Sequence, residues 1–424
     1  MLQTFFQKLK TAINDEGLRK RILFVFFILI LFRVGAVIPV PGVDVAALET
    51  FLSGNQFFGL LNIFSGGGLS NLSIVMLGLG PYITGSIIMQ LVTVMSPKLK
   101  EMYHEQGEAG RKKFTQYSRL LTPPLAIMQG YGLLTLLERS NVLSYASFFD
   151  KSLDVIVVTA GAVLLMWLGE VISEKGIGNG VSILIFAGIV ASLPTTISRL
   201  IATFNPSQIP LYIGFLFLAV LIVGGVVYIT EAERPIPITY AKQIRGNKIY
   251  GGVSTYLPLR VNQAGVIPII FALSILLFPQ MVVNFVANIN NAVIQTISSI
   301  ILAILQNVWI YGILYFILVF LFTYFYTAIT FDPDNISKNL QRSGAFIPGV
   351  RPGSHTSEYI GKTLNRITLF GAMFLGIIAV LPIIMQGITG ITSLAIGGTA
   401  LLIVVSVVLD LVKKVDAQVA MREY

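Results

Sequence analysis

The 424-residue chain has no cysteine, two histidines, two tryptophans and few charges, with Asp, Glu, Lys and Arg making up 12% of it. Without cysteine there is no disulfide framework, no thiolate metal site and no thiol nucleophile. His104 and His355 fall in polar stretches, and nothing in the pattern points to a metal or a cofactor. Carboxylates are scarce along the apolar runs, where Glu170 and Asp410 stand only at the ends. An ion-coupled pump usually keeps titratable groups buried along its path, so that class is disfavoured. What the chain has in quantity is hydrocarbon: 55% hydrophobic residues and a mean hydropathy of +0.81.

These values define an integral membrane protein. A hydrocarbon layer about 30 Å thick takes roughly 20 apolar residues per helix. Ten runs qualify, near 22–38, 74–95, 117–137, 153–172, 181–203, 211–230, 264–284, 307–329, 367–385 and 391–412. The alternating strands of a membrane barrel are absent, so the expected fold is all-α. The basic amino terminus with its apolar run resembles a signal peptide, but the run is too long for a cleaved leader and reads as the first span. A doubtful stretch, 286–306, carries Asn288, Asn290, Asn291, Gln295 and Gln306 and reads as an outer surface helix.

Positive residues in short loops stay on the cytoplasmic side. With the amino terminus inside, all but four of the 29 Lys and Arg lie inside; Arg139, Lys151 and Arg199 lie outside, and Arg33 within the first span. Both termini are then cytoplasmic. Arg33 is placed to snorkel or to pair with Asp44.

Ten spans divide into two sets of five, and because five is odd the second set crosses in the opposite sense. This is an inverted repeat around a central pathway, with residues 1–205 and 206–424 as its halves. The second span of each half is interrupted at its head, by "GLGPYITGS" (78–86) and by "AGVIPII" (264–270). "GIGNG" (176–180) and "GITSLAIGGT" (390–399) lead into the fifth spans. Small residues let helices approach closely or slide, and a proline frees a backbone group; ordinary tight packing explains either interruption alone, whereas the pair points to a moving seam. At the centre the residues are aliphatic. Leu79 and Ile83, then Ile185 and Ile189, are spaced four apart on one helix face, and Ile270 and Ile403 lie at comparable depth. Singly each is a core residue; together they suit a constriction that excludes water. "FFGLLNIFSGGGLSNLS" (57–73) is apolar, glycine-broken and too short to cross, so it is either a re-entrant stopper or an outer surface helix.

The stretches "LFRVGAVIPVPGVD" (31–44), "GLGPYITGSIIMQ" (78–90), "GIGNGVSILIFAGIVA" (176–191), "AGVIPIIFA" (264–272), "SGAFIPGVRPG" (343–353) and "GGTALLIVV" (397–405) resemble, in order and along the whole chain, the SecY family of protein-conducting channels. The "YAKQIRGNK" loop and short tail resemble bacterial members. The resemblance implies that Leu79, Ile83, Ile185, Ile189, Ile270 and Ile403 form the pore ring, with Leu79 in place of an isoleucine. It implies a plug that includes Phe64, Ser65, Gly66, Gly67, Gly68 and Leu69, and a lateral gate between the second and seventh spans faced by Thr84, Gln90 and Phe278.

Two basic loops, 231–262 and 331–366, have a sufficient explanation in the positive-inside rule. Tyr240, Tyr250 and Tyr256 interleave with the cations of the first, which also suits ribosomal RNA. The resemblance makes Arg245 and Lys248 ribosome contacts and Arg351 a contact for the SecA ATPase. It further implies SecE and SecG as partner subunits, signal peptides and translocating polypeptides as clients, membrane lipid around the gate, and the bacterial cell membrane as location. No enzyme signature survives: "IGKT" (360–363) lacks the upstream glycine and strand of a phosphate loop. The alternative function is a secondary transporter for an apolar small solute.

Overall fold

The computed structural model describes residues 15–42, 48, 62, 65–104, 106–140, 142–145, 147–202, 206, 209–240, 243–245, 248–250, 254–286, 292–389 and 392–423. The first half contributes α1 (Glu16–Gly35), α2 (Gly80–Met95), α3 (Pro97–His104), α4 (Gly107–Arg139), α5 (Phe148–Lys175) and α6 (Gly180–Ala202). After α7 (Ile209–Glu231) come the strands β1 (Glu233–Tyr240), β2 (Gln243–Arg245), β3 (Lys248–Tyr250) and β4 (Ser254–Arg260). The rest comprises α8 (Ile267–Val286), α9 (Ala292–Gln306), α10 (Val308–Thr330), α11 (Pro333–Arg342), β5 (Ala345–Phe346), α12 (Ser354–Thr389) and α13 (Thr392–Glu423).

Each of the ten apolar runs falls on one of these helices: α1, α2, α4, α5, α6, α7, α8, α10, α12 and α13. Among the described residues five helices are individually long and apolar enough to cross a bilayer. Of the others, α2 and α8 begin only at Gly80 and Ile267, inside "GLGPYITGS" and "AGVIPII", so the start of each of those two apolar runs is not helical. The 286–306 stretch contains a separate helix, α9, in which Val293, Ile297 and Ile300 are exposed.

Packing repeats between the halves. In the first, α2 packs on α4, α4 on α5, α5 on α6 and α1 on α6; in the second, α8 packs on α10, α10 on α12, α12 on α13 and α7 on α13. These are equivalent pairs in two five-helix sets. The sets meet through α2 and α4 against α8, and through α6 against α13.

The entry to α2 is not helical. Residues 65–79 run as consecutive tight turns, and their polar groups pair locally, for example Ser73 N to Gly68 O at 2.8 Å and Gly78 N to Val75 O at 2.8 Å. Leu72 accepts from Val40 N at 2.8 Å, and Ile74 N donates to Ile38 O at 3.0 Å, which ties the run to the chain after α1. Irregular backbone at membrane depth survives only when it is buried and paired in this way. Leu69, Leu72, Met76 and Leu77 anchor it in a core with Leu133, Leu134 and Leu137 of α4 and Val155 and Val158 of α5.

Among the described residues, the β-strands all lie in the two basic loops. β4, β1 and β5 form an antiparallel sheet in that order, with Glu233 opposite Arg260 and Thr239 opposite Ser254 and Phe346, while β2 and β3 form a hairpin. Pro235 faces Pro258, neither of which can donate to the ladder. Alternation puts Ile236 and Ile238 inward, and Ile236 joins Leu259, Ile347, Ile360 and Ile367 in a small core. Strands this short and proline-bearing leave little trace of alternation in a charged loop.

The approach of α5 to the irregular run depends on Gly161, where a Cβ would lie 2.0 Å from the Ile74 carbonyl oxygen. Gly161→Ala is therefore expected to destabilise the protein by about 1–3 kcal/mol, read as a lowered unfolding midpoint in detergent; an unchanged midpoint would show that this contact does not set the position of the run.

Candidate functional site

The helices α2 and α8 begin alike. Gly78 (φ 57°) and Gly265 (φ 62°) each stand two residues before the helix, and Pro81 and Pro268 are each its second residue. Both heads read Gly-x-x-Pro. The left-handed turn suits glycine, and the proline occupies a position whose N–H has no intrahelical acceptor. Two residues after each proline comes an isoleucine: Ile83 N donates to Leu79 O at 3.0 Å, and Ile270 N to Val266 O at 3.3 Å. The repeat thus sets Ile83 and Ile270 at matching turns.

Leu79, Ile83, Ile185, Ile189, Ile270 and Ile403 all lie in one core cluster, and each is buried. The cluster draws on both five-helix sets, with Phe32 of α1, Phe271 and Leu273 of α8 and Tyr315 of α10 around the six. Phe271 packs edge-on to Phe322 and Tyr326, fixing α8 against α10. Ile185 lies one helical turn before Ile189, so the two occupy successive levels of α6.

Over this core sits the irregular run. Ser65, Gly66, Gly67, Gly68 and Leu69 are described; Phe64 lies outside the described residues. Ser65 Oγ donates to Asn62 O at 3.0 Å and accepts from Leu69 N at 3.0 Å, closing the turn. Gly66 reaches Gly188, the residue before Ile189. Arg33 Nη1 donates to Gly66 O at 3.4 Å; Asp44, the partner considered for it, lies outside the described residues.

α2 and α8 pack against each other. Thr84 Oγ1 donates to Gly80 O at 2.9 Å within its own helix. Gln90 Nε2 donates to Ser86 Oγ at 3.3 Å, while its Oε1 is buried without a partner. Phe278 lies on α8. Gly85 on α2 would place a Cβ 3.2 Å from Ser118 O of α4, so the lip lies close on its neighbour.

Charge ties follow a different rule from the apolar core. Arg119 on α4 donates to Glu170 on α5; Lys151 on α5 pairs with Glu138 on α4 at 2.7 Å and lies 4.8 Å from the Tyr131 ring; Lys413 on α13 pairs with Glu231 on α7 at 2.8 Å. Among the described residues, every ion pair that joins two helices joins helices of the same set. Sequence reading treated Glu170 and Lys151 as end and loop charges, because the partner of each is remote in sequence.

The docking candidates lie on the sheet side. Arg245 and Lys248 face each other across the β2–β3 hairpin. Arg351 is exposed in the turn between β5 and α12, where Gly349 and Gly353 have φ of 82° and 98°. Its carbonyl accepts from Thr356 Oγ1 at 2.9 Å, and Ser337 Oγ donates to Gly353 O at 2.6 Å, so the turn is braced. Beside it Glu358 is held below the usual carboxylate range, chiefly by its hydrogen bond to Lys362. "IGKT" lies inside α12, a continuous helix, and forms no phosphate loop.

Two five-helix sets around a shared, buried apolar centre define a multi-pass helical membrane protein. Comparison with known proteins makes this specific. The SecY family model matches residues 73–412. The chain is 42% identical to protein translocase subunit SecY of Corynebacterium glutamicum, over 97% of this chain and 98% of that one. It is also 42% identical to the same subunit of Thermotoga maritima, over 99% and 96%. A solved protein-conducting channel shares its fold at 17% identity, with a TM-score of 0.64 over 93% of this chain and 91% of that one. Sec61 from a canine ribosome-channel complex does so at 17% identity with a TM-score of 0.60, over the same shares. The chain belongs to the SecY family. Nothing among these relatives supports a transporter for apolar solutes.

Proposed function

We propose that this chain is the pore-forming subunit of a protein translocase, passing unfolded polypeptide across the membrane and releasing sufficiently apolar segments sideways into lipid. The observation that carries this reading is the burial of six aliphatic side chains, drawn from both five-helix sets, in one core beneath a glycine-built segment. Leu79, Ile83, Ile185, Ile189, Ile270 and Ile403 serve as the pore ring and dewet the resting pathway. Residues 57–73, including Phe64 to Leu69, are the plug. Residues 1–205 and 206–424 act as the two moving halves, each built from five spans.

The α2–α8 seam is the lateral gate, with Thr84, Gln90 and Phe278 along it. A buried acceptor without a partner, such as Gln90 Oε1, costs about 1–3 kcal/mol. That cost weighs against the closed seam and is relieved when an entering segment or water supplies a donor. At the membrane centre a Leu contributes about −0.5 kcal/mol and a Lys or Asp costs roughly +3, so a few residues decide between passage and lateral exit.

Energy comes from a partner. Arg245 and Lys248 are opposed in register in the β2–β3 hairpin, and two cations in a basic loop suit a polyanion; the ribosome is the partner proposed there. Arg351, exposed on a braced turn, is proposed as a SecA contact, its planar fork suited to bidentate pairing. SecE and SecG are the proposed companion subunits and signal peptides the openers. The basic loops and both termini face the cytoplasm, and the membrane is the bacterial plasma membrane.

Replacing Ile83, Ile189, Ile270 and Ile403 together with serine is expected to raise resting ion conductance in planar bilayers by about tenfold or more, because polar walls wet a narrow constriction. Unchanged conductance of the inserted protein would remove the ring assignment. Arg351→Glu is expected to abolish SecA-driven translocation into vesicles while leaving membrane insertion intact, and Arg351→Lys to be impaired; wild-type translocation by the Glu variant would take Arg351 out of the motor contact.

A further inference from the structure

The tip of the plug is a backbone surface. Gly66 and Gly67 have φ of 67° and 82°. A Cβ at Gly66 would lie 2.2 Å from Phe32 Cζ on α1 and 3.2 Å from Gly188 Cα on α6. A Cβ at Gly188 would lie 2.2 Å from Gly66 Cα. Side-chain atoms cannot reach such separations, so the tip rests at this depth because both residues are glycine. On another side Arg33 Nη1 donates to the Gly66 carbonyl at 3.4 Å and lies 3.5 Å from the position a Gly67 Cβ would take. Among the described residues the Arg33 guanidinium meets no carboxylate. A cation within a span needs an acceptor, and here the plug backbone provides one.

Phe32, Arg33 and Gly188 all belong to the first five-helix set, as does the plug itself. The gate opens between sets, where α2 meets α8. We infer that Arg33 and Gly188 form a seat that holds the plug within one half of the molecule, so that parting the lateral seam does not by itself release the plug. Release follows when the passing polypeptide enters the ring. Its extended backbone presents carbonyls to Arg33, which exchanges the Gly66 acceptor for one of them as the chain displaces the tip from Gly188. The membrane therefore stays sealed while a signal segment is still occupying the open gate.

This inference rests on the plug assignment, and the test separates the two. The translocase, reconstituted with its partner subunits in planar bilayers, is examined with its seam free and with its seam closed by a disulfide between Thr84→Cys and Phe278→Cys; the chain has no other thiol. Gly188→Ala is expected to raise resting conductance about tenfold whether or not the seam is locked, since the unseated stopper no longer caps the ring in either case. Arg33→Ala should leak less than Gly188→Ala, and Arg33→Lys, which keeps a donor, should stay near wild type. Arg33→Ala adds no bulk, so it carries the test if Gly188→Ala fails to assemble. Conductance at the wild-type level in both Gly188→Ala and Arg33→Ala overturns the seat, and a leak confined to the unlocked seam overturns its independence from the gate. Deletion of residues 65–69 is the reference: a leaking deletion beside tight substitutions rejects the seat alone, whereas a tight deletion rejects the plug assignment and the seat with it.

Discussion

A backbone N–H or C=O left unpaired in hydrocarbon costs several kcal/mol, and this constraint separates the rigid parts of the molecule from those able to move. Ten helices meet it with internal hydrogen bonds. Residues 65–79 meet it with short-range turns and with Ser65 and Asn62 acting as side-chain partners. Most of those bonds close within a few residues, so the run pairs its polar groups without a helix. Its base, held by Leu69 and Leu72 among α4 and α5, stays in place.

The same constraint shapes the contact between the two sets. Ion pairs bind α4 to α5 and α7 to α13, inside each set, while the core they share is aliphatic and aromatic. Between helices in lipid there is little hydrophobic driving force, since the acyl chains are as apolar as leucine, so packing alone holds such a seam. Packing can be exchanged for contact with an apolar segment at small net cost. An ion pair across the seam would have to be broken and its charges left in hydrocarbon. Among the described residues, then, no ion pair holds one set to the other.

Much of this was legible in the sequence because membrane burial writes itself as long apolar runs. The paired heads of α2 and α8 were visible as glycines and prolines at matching positions, Leu79/Ile83 and Ile185/Ile189 as spacings of four, and Ile270 and Ile403 by their comparable depth. What stayed hidden depended on contacts remote in sequence. Nothing local marks Glu170 as the partner of Arg119, or Gly66 as an acceptor for Arg33. Gly188 reads as one more small residue in an apolar helix until Gly66 is seen against it. The sheet of β1, β4 and β5 was missed because prolines and charges blur a seven-residue alternation, and because β5 is only two residues long.

The central claim is that polypeptide travels through the aliphatic core shared by the two sets. The direct measurement is site-specific photocrosslinking from probes placed one at a time at Leu79, Ile83, Ile185, Ile270 and Ile403, with a substrate stalled halfway across the membrane. The account predicts that probes from both sets capture the same short window of the stalled chain. Capture of lipid or neighbouring helices alone at these positions, with the substrate instead crosslinking to the outer faces of the helices, would contradict it.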